Sequence, residues 1–339
     1  MGKITAIICI CAAVLLLVYS RSVKLNTTFT LPQQAMLSSD GAVAAISPQI
    51  ALPSAYLITP MSVVQSDNYS EGVVVDRQGN IYFSEIKPGT ITVLAPDGTR
   101  RLWAQIPGAN GHGITPDGTH IVAAQNSVVQ LDANGKNLKV IAKEFQGQPL
   151  VYPNDITIDP QGGFYFTDSG DTSPQNPTGK VYYVNPAGKL TLSASKIAYS
   201  NGTLLTPDRK HLFVSESGRN RILVYDVRSQ GMLGPQQVFA ELPMKQEGQT
   251  DNQPDGLAQD ATGNLYVAHY GMRQVQVLDP HGKLLRSYAS GNLTTSDCAF
   301  GGPNLDRLFV VGGLEAEGAK GGIFRLDLGV PGQDIRPRQ

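Results

Sequence analysis

Six oxygen-bearing side chains, Glu71, Asn110, Asn154, Asn201, Asp255 and Asp297, occupy the same place in a segment that recurs along the chain. Each opens a copy of one pattern: an acidic or amide residue, often a glycine, a few apolar residues, a turn built on Asp and Gly, then a β-rich run. The copies begin EGVVVDRQGNIYFSE at Glu71, NGHGITPDGTHIVAA at Asn110, NDITIDPQGGFYFTD at Asn154, NGTLLTPDRKHLFVSE at Asn201, DGLAQDATGNLYVAH at Asp255 and DCAFGGPNLDRLFVVGG at Asp297. A lone Asn-Gly or Asp-Gly is a turn, but turn chemistry asks neither for a glutamate at the first copy nor for six returns in phase. Carboxylates and amide carbonyls, with no imidazole or thiolate at the shared position, suit a hard cation, and calcium accepts about 6 to 8 such oxygens from flexible loops. One divalent cation is therefore expected, calcium first, with Mg2+, Mn2+ or Zn2+ as alternatives; copper and iron–sulfur chemistry are disfavoured.

The elements that must position these groups follow from the repeat. A period of roughly 40 to 50 residues indicates a repeat architecture. Downstream runs such as ITVLAPDGTRRLWA, VVQLDANGKNLKVIA and VYYVNPAGKLTLSA carry DG, NG and related turn dipeptides that fit hairpins. The expected fold is all-β, a six-bladed β-propeller with four-stranded antiparallel blades over 51–335. In such a fold the innermost strands line the central channel in the same direction, so equivalent residues gather around one mouth. A sandwich joined to a second β domain would leave the returning phase unexplained.

Composition agrees. Of 339 residues 41% are hydrophobic, and 36 Gly with 22 Pro supply many turns. Lys+Arg 27 against Asp+Glu 28 leaves a net charge of -1, so nothing draws nucleic acid. The three cysteines, Cys9, Cys11 and Cys298, assemble neither a disulfide framework nor a thiolate zinc site. Residues 4–19, ITAIICICAAVLLLVY, are apolar without interruption, and 1–22 reads as a signal peptide or signal anchor. Residues 23–50 then read as a flexible tether. The propeller is expected outside the cytosol (periplasmic, extracellular or lumenal), as a monomer, touching a membrane only through that segment. No GxSxG elbow, GxGxxG or P-loop occurs, which leaves serine hydrolase, dehydrogenase and NTPase chemistry without support.

Glu71-Gly72, Asn154-Asp155, Asn201-Gly202 and Asp255-Gly256, with the runs FYFTD (164–168), PDG (254–256) and CAFGG (298–302), resemble the gluconolactonase and regucalcin family, also described as senescence-marker-protein and luciferin-regenerating-enzyme-like. The resemblance spans essentially 60–330. It implies a channel holding one divalent ion on Glu71, Asn154, Asn201 and Asp255, and hydrolysis of a small-molecule lactone or related ester by metal-activated water. Tyr152 stands where sugar-lactone members often have Arg, two residues before the Asn-Asp pair. Locally, Asn110-Gly111-His112-Gly113-Ile114-Thr115 resembles the Asn-x-His-Gly-Ile-Ser segment of the paraoxonases, whose His is the proposed base.

Lactone opening needs a base for water. In gluconolactonase-like enzymes the residue matching Asp255 is commonly given that role, yet a carboxylate on a dication has its pKa pushed down. A neutral imidazole near pKa ~6.5 suits the task better. His112 is thus the expected proton acceptor, with Asp255 holding the ion and orienting water; the alternative for His112 is an imidazole satisfied by loop carbonyls. Asn110, Tyr152, Asp168, His269 and Asp297 are expected to touch substrate or support the ligands, Asp168 otherwise reading as a turn cap and His269 as a buried histidine bonded to backbone. Trp103 and the 13 tyrosines read as ordinary sheet material. Two rivals remain at this point: a non-enzymatic propeller scaffold with a structural ion, and a strictosidine-synthase-like enzyme.

Overall fold

The computed structural model describes residues 51–136, 138–315 and 320–334. The segments read as signal (1–22) and tether (23–50) lie outside the described residues. Among those residues there is no α-helix, only two short 3-10 turns, Ala55–Leu57 and Ser217–Arg219, and no helix long and apolar enough to cross a membrane.

Six antiparallel sheets form the propeller. Blade one runs Ser70–Val75, Ile81–Glu85, Thr90–Leu94 and Arg100–Gln105; blade two His112–Ile114, His120–Ala124, Ser127–Leu131 and Lys139–Ala142. Blade three runs Pro153–Ile158, Phe164–Asp168, Gly179–Val184 and Leu190–Ile197. Blade four runs Ser200–Leu205, His211–Glu216, Arg221–Ser229 and Gln237–Glu241, with a small fifth strand, Met232–Leu233, beside the third. Blade five runs Gln253–Gln259, Leu265–Tyr270, Gln274–Leu278 and Leu284–Ala289. Blade six takes three strands from the C-terminal side, Thr294–Gly301, Arg307–Gly313 and Gly321–Asp327, and its outermost strand, Met61–Ser66, from the N-terminal side.

That last pairing closes the ring. Counting units from Glu71 hides it, because Met61–Ser66 precedes the first recurring segment. Pairing it with Gly321–Asp327 joins first blade to last and satisfies an edge that would otherwise stay open.

The core is six layers, one between each pair of neighbouring blades. Tyr82, Trp103, Val122 and Val129 fill the layer between blades one and two, and Val73, Phe83, Phe309 and Ile323 fill the closing seam. Inner strands are buried on both faces, which explains runs such as FYFTD with no polar alternation. At the end of blades one, three and five away from Glu71, an Asp (Asp76, Asp159, Asp260) fixes the turn. Asp76 accepts from the Asn80 backbone N–H (2.8 Å), the Asn80 amide (2.7 Å) and the Tyr82 hydroxyl (3.2 Å). Asp260 repeats this with Asn264 and Tyr266.

In five blades the recurring oxygen-bearing residue lies within the first strand, at a β-bulge; Asn110 alone precedes its strand, His112–Ile114. The pairing register slips between Glu71 and Val73, Pro153 and Ile156, Ser200 and Thr203, and Pro254 and Leu257, and between Thr295 and Asp297 in blade six. A bulge bends the strand and re-aims one side chain. Next to it, glycine lets the neighbouring blade approach: a Cβ on Gly202 would meet the Asp255 carbonyl oxygen at 2.1 Å, and one on Gly256 the Asp297 carboxylate at 1.9 Å. Gly202→Ala should therefore lower stability by about 1–3 kcal/mol, the cost of forcing atoms into a filled site. A urea or thermal midpoint unchanged by the substitution would show that blades four and five do not touch there.

Candidate metal and catalytic site

Glu71, Asn110, Asn154, Asp155, Asp255 and Asp297 line one small cavity at the bulged end of the channel, with Gly72, Gly111, Gly202 and Gly256 between them. The free space is about 10 Å³, room for one ion or one water molecule and no more. A far larger groove, about 660 Å³, lies between blades two and three at the turn end and shares no residue with this cavity.

Asp155 was not among the residues expected to act here. The sequence carried a signal for it: the residue after the ring position is glycine in blades one, two, four and five, and aspartate in blade three. Its carboxylate accepts from its own neighbour Ile156 (2.8 Å) and from Thr203 of blade four (2.7 Å). Asp297 does the same between blades six and one, accepting from Cys298 (2.7 Å) and Val73 (2.8 Å). These two carboxylates thus hold neighbouring blades together, and Glu71 is also held, by the Gly72 N–H and by the Ser296 hydroxyl of blade six.

The lining contains no Lys, Arg or His. Burial drives every carboxyl upward. Glu71 is pushed to about 8, mainly by burial, with the Asp155 charge adding to it and the Gly72 N–H and Ser296 hydroxyl pulling back. Asp155 rises to about 6 by burial. Asp255 rises well above the usual carboxylate range through burial, then the charges of Glu71, Asp297 and Asp155, and Asp297 rises for the same reasons.

Asn201 sits beside Asp255, close enough for its amide to moderate that shift. Its Nδ2 donates to the Ser217 hydroxyl (3.1 Å), and that hydroxyl donates to the Pro254 carbonyl (2.6 Å). The amide orientation is thereby fixed, and the Asn201 Oδ1 is left buried with no partner. A buried carbonyl oxygen without a donor is costly, and beside the Asp255 carboxylate it is a ligand in search of a cation. Among the described residues no three His, Cys, Asp or Glu side chains form a metal cage by themselves; the donor set fits a hard cation only once the asparagine carbonyls are counted.

The other expected residues fall elsewhere. His112 is not in the cavity lining: its ring lies in the apolar layer between blades one and two, with ring centres 5.7 Å from Trp103 and 5.8 Å from Tyr82, and its Nε2 is 2.7 Å from His120 Nδ1. Burial, then the His120 charge, holds its pKa well below the ordinary histidine range. His269 is fully buried against Asn220 (2.9 Å) and Gln276 (3.3 Å), and burial lowers it to about 4. Asp168 accepts from the backbone of Val151 (3.1 Å) and Tyr152 (2.6 Å), so it pins the segment that carries Tyr152 to the channel mouth. Tyr152 stands on the rim, where Glu71, Asp255 and the Asn110 amide all influence its hydroxyl.

Fold and ring together define a six-bladed propeller with an anionic, oxygen-rich end to its channel. Residues 69–313 match the SMP-30/Gluconolactonase/LRE-like region, and the chain belongs to that family. It is 28% identical over 275 residues to a gluconolactonase of Zymomonas mobilis subsp. mobilis, covering 72% of this chain and 76% of that one. It is 30% identical over 264 residues to lactonase drp35 of Staphylococcus saprophyticus subsp. saprophyticus, covering 74% and 79%. Among solved structures, regucalcin from Agrobacterium tumefaciens, described as a calcium-binding protein, matches with a TM-score of 0.69 over 83% of this chain and 95% of its own at 22% identity, a likeness of fold.

The raised carboxyls set a pH dependence for the protein without cation. Glu71 moves from 4.5 to about 8, so the folded protein retains protons that the unfolded chain has released, and stability falls as pH rises through that interval. In chelator, the melting temperature should drop from about pH 5 to about pH 8 and calcium should restore it at the upper end. A melting temperature that rises over this range in chelator would contradict the buried-carboxylate account.

Proposed function

We propose that this protein is a divalent-metal-dependent lactonase, opening a lactone or related ester at the bulged end of the propeller channel. The observation that carries the reading is the ring itself: a buried Asp255 and half-buried Glu71, Asp155 and Asp297 around a space for one ion, with no basic side chain in the lining. Glu71, Asn154, Asn201 and Asp255 would hold the cation. Calcium comes first, with magnesium, manganese or zinc as alternatives, because carboxylate and amide oxygens without sulfur or imidazole match it. When bound, the cation supplies a Lewis acid for the lactone carbonyl and lowers the pKa of a water molecule.

The chain's own residues do the rest. Asp155 and Asp297 fix the bulges, Ser217 sets the Asn201 amide, and the shallow cavity leaves the substrate above the ring. Asp255 accepts the proton that the attacking water releases, then returns it to the alkoxide as the ring C–O bond breaks. Its neighbours Glu71, Asp297 and Asp155 raise its proton affinity, which opposes the depression a dication imposes. His112, neutral and turned into the core against His120, has no part in this step. The names of the curated relatives, a gluconolactonase and a lactonase, support the reaction class. The apolar run at residues 4–19 supports export of the propeller.

The test is hydrolysis of a lactone panel with calcium and with chelator. Chelator should abolish turnover reversibly, Asp255→Asn should cost ~100-fold or more in kcat/KM, as expected for a group acting on the reacting atoms, and His112→Gln should leave kcat and its pH profile close to wild type. No turnover of any lactone, with metal bound and the fold intact, would favour a non-enzymatic binding propeller instead.

A further inference from the structure

The groove of about 660 Å³ between blades two and three differs from other seams at the turn end of the propeller. At four of those seams the chain itself is the cover. The turn 132–136 of blade two closes on Trp103 of blade one: the indole N–H donates to the Ala133 carbonyl (3.3 Å), and a Cβ on Gly135 would meet the Trp103 carbonyl oxygen at 2.4 Å. The turn 279–283 of blade five closes on Phe239 of blade four in the same way, with 2.2 Å at Gly282. Between blades three and four the cover is the turn after Arg221–Ser229, where the Gly231 N–H donates to the Tyr165 hydroxyl (3.1 Å). The fourth covered seam lies between blades five and six. In blade three the corresponding turn, 185–189, stands off from blade two, and a Cβ on Gly188 would meet nothing within 4 Å.

The seam between blades five and six shows what such a groove accepts. Its cover is the segment 328–333, Leu-Gly-Val-Pro-Gly-Gln, which leaves the third strand of blade six and runs between the first turns of the two blades. Leu328 and Val330 are buried, and Leu328 packs with Tyr266, Leu308 and Leu326. Backbone bonds hold the segment: the Gln333 N–H donates to the Gln259 carbonyl, the Gly332 N–H to the Leu305 carbonyl, and the Ala261 N–H to the Pro331 carbonyl, each at 2.8 Å. The pairing register places Ile121, Phe164 and Val184 of blades two and three where Tyr266, Leu308 and Leu326 stand in blades five and six. All three line the groove. Gln130 stands there in the place of Val277, and the Ile114 carbonyl in the place of the Gln259 carbonyl. Pro116 replaces Ala261 and has no N–H to give.

We infer that the groove between blades two and three is a docking site for a short, uncharged backbone segment of a partner protein, whose aliphatic residue lies on Ile121, Phe164 and Val184 as Leu328 lies on their counterparts. The floor of the groove is apolar, and the ionisable residues of its lining are Asp117 and Lys139, one of each sign, so nothing draws a charged ligand. The Asp117 carboxylate already accepts from the Thr115 hydroxyl (2.5 Å) and the Thr119 N–H (3.1 Å). Backbone pairing with the turns, as in other strand-addition contacts, supplies affinity, and the aliphatic seat supplies specificity. Burying one leucine is worth roughly tenfold or more in affinity. Sharing no residue with the ring cavity, the groove can be filled while that cavity stays open.

The probe is a capped hexapeptide with the sequence of residues 328–333, titrated calorimetrically into the full-length protein, with hydrogen exchange to locate it. A dissociation constant below about 1 mM is expected, with protection gained at 114–119 and 160–164. Serine in place of the peptide's leucine should weaken binding about tenfold or more. Ala187→Trp, which fills the groove from the rim, should abolish binding at an unchanged melting temperature. Gln130→Val supplies the residue found at the covered seam and should tighten binding about threefold through added apolar contact, a gain that no folding defect produces. No binding to wild type at about 1 mM, or binding unmoved by both substitutions, would overturn the site. Protection at 259–261 and 300–306 instead would mean that the peptide only displaces the chain's own segment, and would overturn it too. Leucine amide binding as tightly as the hexapeptide would make the groove a small-molecule pocket, and a dimer dissociated by Ala187→Trp would assign it to a second copy; either result would overturn the peptide partner.

Discussion

Burying several carboxylates at one point is tolerable only if something positive stands among them. Glu71, Asp155, Asp255 and Asp297 share the bulged end of the channel with no lysine, arginine or histidine in the lining, and desolvation and mutual repulsion push their proton affinities upward together. Two responses are open to such a cluster: take up protons, or take up a cation. The unpartnered carbonyl oxygen of Asn201 has only the second. Much else follows from this convergence, including the glycines that let the blades approach, the bulges that aim the side chains and the serine that fixes an amide.

The same acidic residues divide their work. Asp155 and Asp297 spend both oxygens on backbone N–H groups of their own and the next blade. Asp297 does this across the seam between blades six and one, where Met61–Ser66 also joins the last sheet. Closure of the ring is therefore secured at the channel by a carboxylate and at the rim by a strand. Site geometry and ring closure are coupled, because displacing blade six moves the carboxylate that accepts from the Val73 N–H, two residues from Glu71.

Much of this was legible in the sequence because the repeat is in phase. The six recurring positions and their Asp-Gly turns led to the propeller, and five of the six, Glu71, Asn110, Asn154, Asp255 and Asp297, line the cavity, with Asn201 beside it. Where residues sit differently from the sequence reading, the causes are physical. His112 lies two residues after Asn110 and so seemed to share its direction, but it points into the layer between blades, where Tyr82 and Trp103 pack against it. Sequence spacing cannot tell which face of a strand turns to the channel. Asp155 was hidden by standing beside a ring residue, although an aspartate where other copies have glycine was a signal. Closure by Met61–Ser66 escaped because that strand belongs to no copy of the repeat.

The most direct test of the central claim is diffraction from crystals grown with a divalent cation that scatters anomalously, manganese in place of calcium. A single strong anomalous peak in the channel is predicted, at oxygen-ligand distances from Glu71, Asn154, Asn201 and Asp255 and displaced by excess calcium. A channel holding only water, with any bound ion elsewhere on the surface, would contradict the account.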